Sequence, residues 1–161
     1  MATEKSTLLS AQEANPVTIA NTRGILIGAI DTVAVANGAD ADIALTGIRI
    51  PVESKLTSVR VATDALGTSA TMDVGLYKDN GDNTYTAVDA DCIATAIAVD
   101  GVVGLTEIRF EVKNINTVKD RAWEIAGLSA RPAYGEFVLG VSFPAETAAA
   151  GDVTAIVELI Q

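Results

Sequence analysis

The sequence predicts an all-β fold, an antiparallel β-sandwich of jelly-roll type with one short helix near residues 117–127. Three observations carry this. Stretches of strand length either alternate apolar with polar residues or run apolar throughout. Turn residues recur about every ten positions, the spacing of a sandwich or barrel. Only one segment combines helical spacing with a start and a stop signal.

In chain order, strands are predicted over Pro16 to Ala20, Gly24 to Ile30, Ile43 to Ile50, Leu56 to Thr63 and Thr71 to Lys78. Within Leu56 to Thr63 the polar set, Thr57 and Arg60, slips by one position. In the next strand Met72, Val74, Leu76 and Lys78 alternate with Thr71, Asp73, Gly75 and Tyr77, the pattern of a half-buried strand. Asp79-Asn-Gly-Asp-Asn83 concentrates residues that tolerate positive φ and bond their own backbone, so Thr84 to Val88 should return beside Thr71 to Lys78. The Ala-rich stretch up to Val99 reads as a short helix or an irregular crossover, and Gly104 to Val112 as a further strand. Gly135 to Phe143 and Asp152 to Ile160 are two long alternating segments joined by Pro144 to Gly151, about the length of a wide hairpin or a sheet-crossing loop.

The helix rests on Thr117 as N-cap, Asp120 in the first turn, and one face made of Val118, Ala122, Ile125 and Ala126. Gly127 then occupies the left-handed position after the helix, which makes Leu128 and Trp123 the hydrophobic pair of a Schellman ending. Trp123 and Leu128 are therefore the expected core anchors. An indole removes roughly 150–250 Å² from water on burial, so the single tryptophan reads as architecture.

With 161 residues, 49% of them hydrophobic and 20% charged, the chain can bury one real core. The expected organisation is a flexible N-terminal arm over residues 1–15 and a single β-sandwich domain over residues 16–161. Leu8 and Leu9 are the only large apolar pair in the arm, which makes them the candidate contact with a partner. No stretch has the roughly 18 uninterrupted apolar residues of a membrane span, and the first residues lack the basic start and apolar run of a signal peptide. Synthesis in the cytoplasm is expected, without a membrane partner. Net charge is −10 and the 11 Lys and Arg are scattered singly, so nucleic acid is not an expected partner either.

The residues leave little room for catalysis. Histidine is absent and Cys92 is the only cysteine, which removes Ser-His-Asp and Cys-His machinery, most zinc sites and any internal disulfide. Beside Ile93, Cys92 reads as a buried thiol. Asp73, Glu107 and Glu111 lie on predicted strands and could form a carboxylate pair of the kind that cleaves glycosides, but with seven aromatics the chain is poor in the ring faces of a glycan cleft. The Asp79 to Asn83 run lacks the order of a calcium loop; Asp89 and Asp91, with Asp100 following, could hold a hard cation with backbone carbonyls, but paired acids at a helix start, which complement its dipole, are the favoured explanation. No phosphate-binding glycine motif occurs. The expected protein is not an enzyme and uses no cofactor or metal.

Four pieces, in this order and spacing, resemble a group of small virion proteins encoded among the head genes of tailed phages. They are Asp73-Val-Gly-Leu-Tyr77, Val88-Asp-Ala-Asp91, Trp123-Glu-Ile-Ala-Gly-Leu-Ser-Ala-Arg-Pro132 and Ala149-Ala-Gly151. The likeness covers the chain from Met72 onward. It departs at Ala122, Arg131 and Ile160-Gln161, where Leu, Asp and an aromatic would be expected. The resemblance implies a capsid decoration or cement protein: a β-sandwich bound in many copies to the capsid exterior, partnered by the major capsid protein and assembled as a homotrimer at three-fold or quasi-three-fold positions. A head-fibre or tail-associated module that binds a host surface glycan is the alternative.

Overall fold

The computed structural model describes residues 3–5, 26–38, 43–145 and 147–161. Among the described residues are nine strands: β1 (Thr3–Lys5), β2 (Leu26–Val35), β3 (Ile43–Pro51), β4 (Lys55–Thr63), β5 (Thr71–Asp79), β6 (Tyr85–Ala98), β7 (Val103–Glu107), β8 (Glu136–Ser142) and β9 (Gly151–Ile160). They form two sheets, one in the order β1-β3-β8-β5-β6 and the other β2-β9-β4-β7.

The order has a simple origin. β2 pairs antiparallel with β9, β3 with β8, β4 with β7 and β5 with β6. These four couples are the rungs of one long hairpin whose tip is the turn between β5 and β6, and successive rungs fall alternately in the two sheets. A hairpin rolled in this way is a jelly roll, as the sequence predicts. β1 adds to the first sheet, running parallel to β3 with Thr3 opposite Ile43 and Lys5 opposite Leu45. The rest of the arm, with Leu8 and Leu9, and the strand predicted over Pro16 to Ala20 lie outside the described residues.

The core lies between the sheets and is filled by the inward set of each strand. β9 supplies Val153, Ala155, Val157 and Leu159, β5 supplies Met72, Val74 and Leu76, and β8 supplies Phe137, Leu139 and Val141. The slip in β4 is a bulge: its register with β9 shifts between Leu56 and Ser58, so that Leu56, Val59 and Val61 are all buried. β3 carries a second irregularity between Leu45 and Arg49, and the inward-facing Asp31 of β2 spans the sandwich to accept the Gly47 N–H at 2.6 Å. A smaller apolar cluster, Leu45, Tyr77 and Val138, lies on the other face of the first sheet. There the Tyr77 ring covers Gly140 so closely that a Cβ at Gly140 would lie 2.6 Å from it.

Several expectations need correction. The Ala-rich stretch is neither helix nor crossover, because β6 continues through it to Ala98, paired with β5 at Val74↔Ala94 and Met72↔Ile97. Asp89 and Asp91 consequently sit on a strand, not at a helix start. The strand predicted to reach Val112 ends at Glu107, whose own carboxylate replaces the ladder by accepting the N–H groups of Val59 and Arg109, both at 2.9 Å.

The predicted helix is broken into two pieces. Ile115–Lys119 is a 3-10 turn capped by Asn114, and α1 is a single turn over Ala122–Ile125. Thr117 is not the N-cap. Arg121 precedes α1 in extended conformation because it bridges to Lys55 of β4, and Glu124 reaches back to accept its N–H at 2.7 Å. The ending follows the Schellman pattern: Gly127 has φ +70° and donates to Glu124 O at 3.1 Å, while Leu128 donates to Trp123 O at 3.2 Å. α1 is held against the turn between β3 and β4 by Ala122 N–H to Ser54 O and Trp123 N–H to Val52 O.

Candidate functional site

Two of the three carboxylates that could have served chemistry hold the backbone instead. On β5, Asp73 accepts the Ala96 N–H at 2.7 Å and the Thr95 hydroxyl at 3.2 Å, both from β6. Glu107, on the other sheet, takes two backbone N–H groups and the Ser58 hydroxyl. Glu111 lies exposed in the turn after β7. Asp73 and Glu107 thus belong to different sheets and are both engaged in bracing bulged strands.

The Asp79 to Asn83 segment is a turn that satisfies itself. Asp79 accepts the Gly81 N–H at 2.8 Å, Asp82 accepts the Thr84 N–H at 3.1 Å, and Gly81 and Asn83 take positive φ. Asp79 also receives Arg49, which bridges to Glu136 of β8, so three strands are tied by one half-buried guanidinium. No group of three or more potential metal ligands occurs among the described residues.

At the buried groups, desolvation and not activation sets the unusual titrations. The Cys92 thiol is pushed up to about 12 by desolvation, which keeps it protonated and inert. Desolvation likewise raises the Tyr77 phenol. It raises Asp89 as well, reinforced by the neighbouring Asp91. Arg109 is fully buried; desolvation lowers its pKa, while its guanidinium donates to Leu56 O at 3.1 Å and Thr117 O at 3.0 Å. It pins the segment after β7 to the edge of β4. A shallow, open concavity on the first sheet, between Tyr77, Ser142 and Phe143, encloses about 270 Å³, less than the roughly 300–1,000 Å³ of ordinary ligand sites.

The surface is more informative as a contact surface. Besides Val102 and Leu105 at β7, two groups of large aliphatic side chains face solvent among the described residues. One lies on the outer face of the second sheet, where Leu26 and Ile30 of β2 and Ile160 of β9 are exposed. The other is a row at every third residue, Val112, Ile115 and Val118, running into the 3-10 turn. The sequence reading found neither, although a signal existed. β2 is apolar on both faces, with Ile27, Ala29 and Val33 inward and Leu26 and Ile30 outward, which is more than a solvated edge strand needs. Trp123 and Leu128 are half-buried and pack against the core, while the candidate contacts Leu8 and Leu9 lie outside the described residues.

No protein-family model matches the sequence, and no curated protein matches it. Two solved structures share the fold. A chain in the capsid of Ralstonia phage GP4 superposes with a TM-score of 0.71 at 18% identity, over 99% of this chain and 98% of that one. A chain in the capsid asymmetric unit of cyanophage Pam1 gives a TM-score of 0.54 at 18% identity, over 91% and 94%. At that identity the likeness is one of fold: the jelly roll described above is also found among the chains of two phage capsids.

Proposed function

We propose that this chain is a non-enzymatic structural protein of a tailed-phage virion, one that binds the outer surface of the capsid in many copies and stabilises the mature shell. The observation that carries the reading is the end-to-end likeness to a chain of a phage capsid, 99% of this chain against 98% of that one. It agrees with the sequence resemblance, which rests on different grounds, namely short pieces from Met72 onward.

The chemistry supports the same role. The fold supplies a β-sandwich whose Asp73 and Glu107 carboxylates are committed to its own backbone and whose surface carries aliphatic side chains turned to solvent. A cement protein needs no more than that. A contact of about 1,000 Å² repeated over a lattice sums many modest affinities. If only the expanded lattice offers the complete binding surface, attachment stabilises that state by mass action without an energy source. The major capsid protein is the partner in this reading, trimers at three-fold or quasi-three-fold positions are the unit that binds, and Leu8 and Leu9 contribute to the contact.

The test is copy number. Quantitative peptide mass spectrometry on purified particles of the encoding phage should give a lattice-wide ratio to the major capsid protein, near one or near one third. A handful of copies per particle would replace the reading with a head-fibre or tail-associated adhesion module, and absence from particles would overturn it.

A further inference from the structure

Two steps of this chain, Asn37-Gly38 and Asn80-Gly81, have the sequence at which an asparagine can convert itself. The main-chain nitrogen of the glycine attacks Cγ of the asparagine. The side-chain nitrogen leaves as ammonia, taking the glycine N–H proton, and a cyclic imide closes. Water then opens the ring at either carbonyl, giving aspartate or isoaspartate. Glycine favours the step because no Cβ hinders the approach to its nitrogen.

In sequence the two steps are equal, and the fold separates them. Both glycines have φ +84°, so the two turns share their handedness at that position. In the turn between β5 and β6 the reacting groups are committed elsewhere. The Asn80 amide donates to the Thr84 and Thr86 hydroxyls at 3.0 and 3.1 Å, which turns it toward the returning strand. The Gly81 N–H is held by the Asp79 carboxylate at 2.8 Å, and Arg49 fixes that carboxylate through its other oxygen. A carboxylate that accepts an N–H keeps the proton on the nitrogen and repels the anion that its loss would leave.

In the turn between β2 and β3 the restraint is lighter. Asn37 is exposed, and its amide makes no hydrogen bond among the described residues, so the side chain can rotate until Cγ lies over the Gly38 nitrogen. The Gly38 N–H donates to Thr147 O at 2.8 Å, an uncharged acceptor in the loop between β8 and β9. That bond joins a turn to a loop, and such contacts open locally at lower free energy than a strand ladder.

We propose that Asn37 is a site of spontaneous conversion to aspartate and isoaspartate in the folded protein, while Asn80 is held back by its own turn. Water is the only reagent and no enzyme takes part, so the change accumulates with the age of each copy. Its consequence is structural. The imide nitrogen has no hydrogen to give Thr147, and isoaspartate adds a methylene to the main chain where Gly38 must meet that carbonyl. A carboxylate is also added to a chain that already carries −10. Converted copies therefore lose the tie between the β2–β3 turn and the β8–β9 loop. None of this depends on what the protein attaches to.

Peptide mass spectrometry of the full chain, incubated in mildly alkaline buffer and sampled over time, tests it. In denaturant the two sites should convert at similar rates, since only the shared Asn-Gly step then matters. In the folded protein Asn37 should convert at least about tenfold faster than Asn80. Enzymatic methylation of isoaspartate should label the Asn37 peptide ahead of the Asn80 peptide. Thr84→Val combined with Thr86→Val frees the Asn80 amide and should raise its rate at least about threefold, with the Asn37 rate unchanged. Equal rates in the folded protein, faster conversion at Asn80, an Asn37 that stays intact while the denatured chain converts, or an Asn80 rate that the threonine changes leave alone would each overturn the inference.

Discussion

At the residue scale, two positions in β6 show what holding this strand costs. Ala96 has φ +53°, a left-handed conformation that a side chain with a Cβ adopts at a cost of roughly 1–2 kcal/mol. The Asp73 carboxylate on its N–H helps to hold it there. Ala96→Gly should raise the unfolding free energy by about 0.5–1 kcal/mol in urea titrations, the relief being partly offset by the greater freedom of glycine in the unfolded chain. Asp89 is different in kind. Desolvation, and then Asp91, raise its folded pKa above the unfolded value, so the folded protein holds this proton more tightly than the unfolded chain does. Its contribution to stability is fullest below the unfolded pKa and declines as pH rises through the folded one. Asp89→Asn should accordingly melt above the parent at pH 7, with the difference closing at about pH 3, where both side chains are neutral. Equal midpoints at neutral pH would show that Asp89 is not strained by its surroundings. Neither feature is visible in sequence, because both depend on a β5 neighbour or a carboxylate brought close by a bulge.

Elements were legible where local pattern and partner agreed. The alternation of Met72, Val74 and Leu76 and the Asp79 to Asn83 turn state their structure outright, and the slip at Thr57 in β4 foretells a real bulge. They were misread where a distant strand decides. Ala94 to Ala98 has helical composition but is strand because β5 supplies the ladder. The helix expected from Thr117 is interrupted because Arg121 pairs with Lys55, far away in sequence. What survives, α1, is too short to stand alone. It is held by two hydrogen bonds that its N–H groups donate to the β3–β4 turn and by the Trp123 side chain lying half-buried against the core. Trp123→Ala should therefore cost about 2–3 kcal/mol, less than a fully buried indole, and should release the segment between β7 and β8 before the sheets open. Hydrogen exchange at Ala122 and Trp123, rising ahead of exchange in β9, would check the order of events.

At the scale of the whole molecule, the sequence resemblance and the shared fold lead to one reading through different residues. The pieces that carry the resemblance are structural landmarks here: Asp73 to Tyr77 is the centre of β5, Val88 to Asp91 is the start of the irregular part of β6, and Trp123 to Pro132 includes α1 and its glycine ending. They mark where the roll is irregular, which explains why they speak to fold and are silent on partner. Contacts were harder to foresee, because aliphatic residues on the outside of a strand look in sequence like aliphatic residues on the inside. If the arm contributes to attachment, replacing Leu8 and Leu9 together by Ala should lower occupancy on capsids several-fold, measured by peptide ratios, with no change in the melting of the β-sandwich. Unchanged occupancy would remove the arm from the binding surface.

The rolled hairpin has a mechanical consequence. β2 and β9 are paired from Val35↔Gly151 to Leu26↔Ile160, so the N-terminal end of β2 and the C-terminal end of β9 emerge at one corner. Tension applied between Leu26 and Ile160 pulls along the hydrogen bonds, which lie perpendicular to antiparallel strands, and reaches them one rung at a time. The seam then peels at low force instead of failing all at once. A shell that relied on this protein under internal pressure would keep its strength only where the load enters through the sheet faces or the loops, away from that corner.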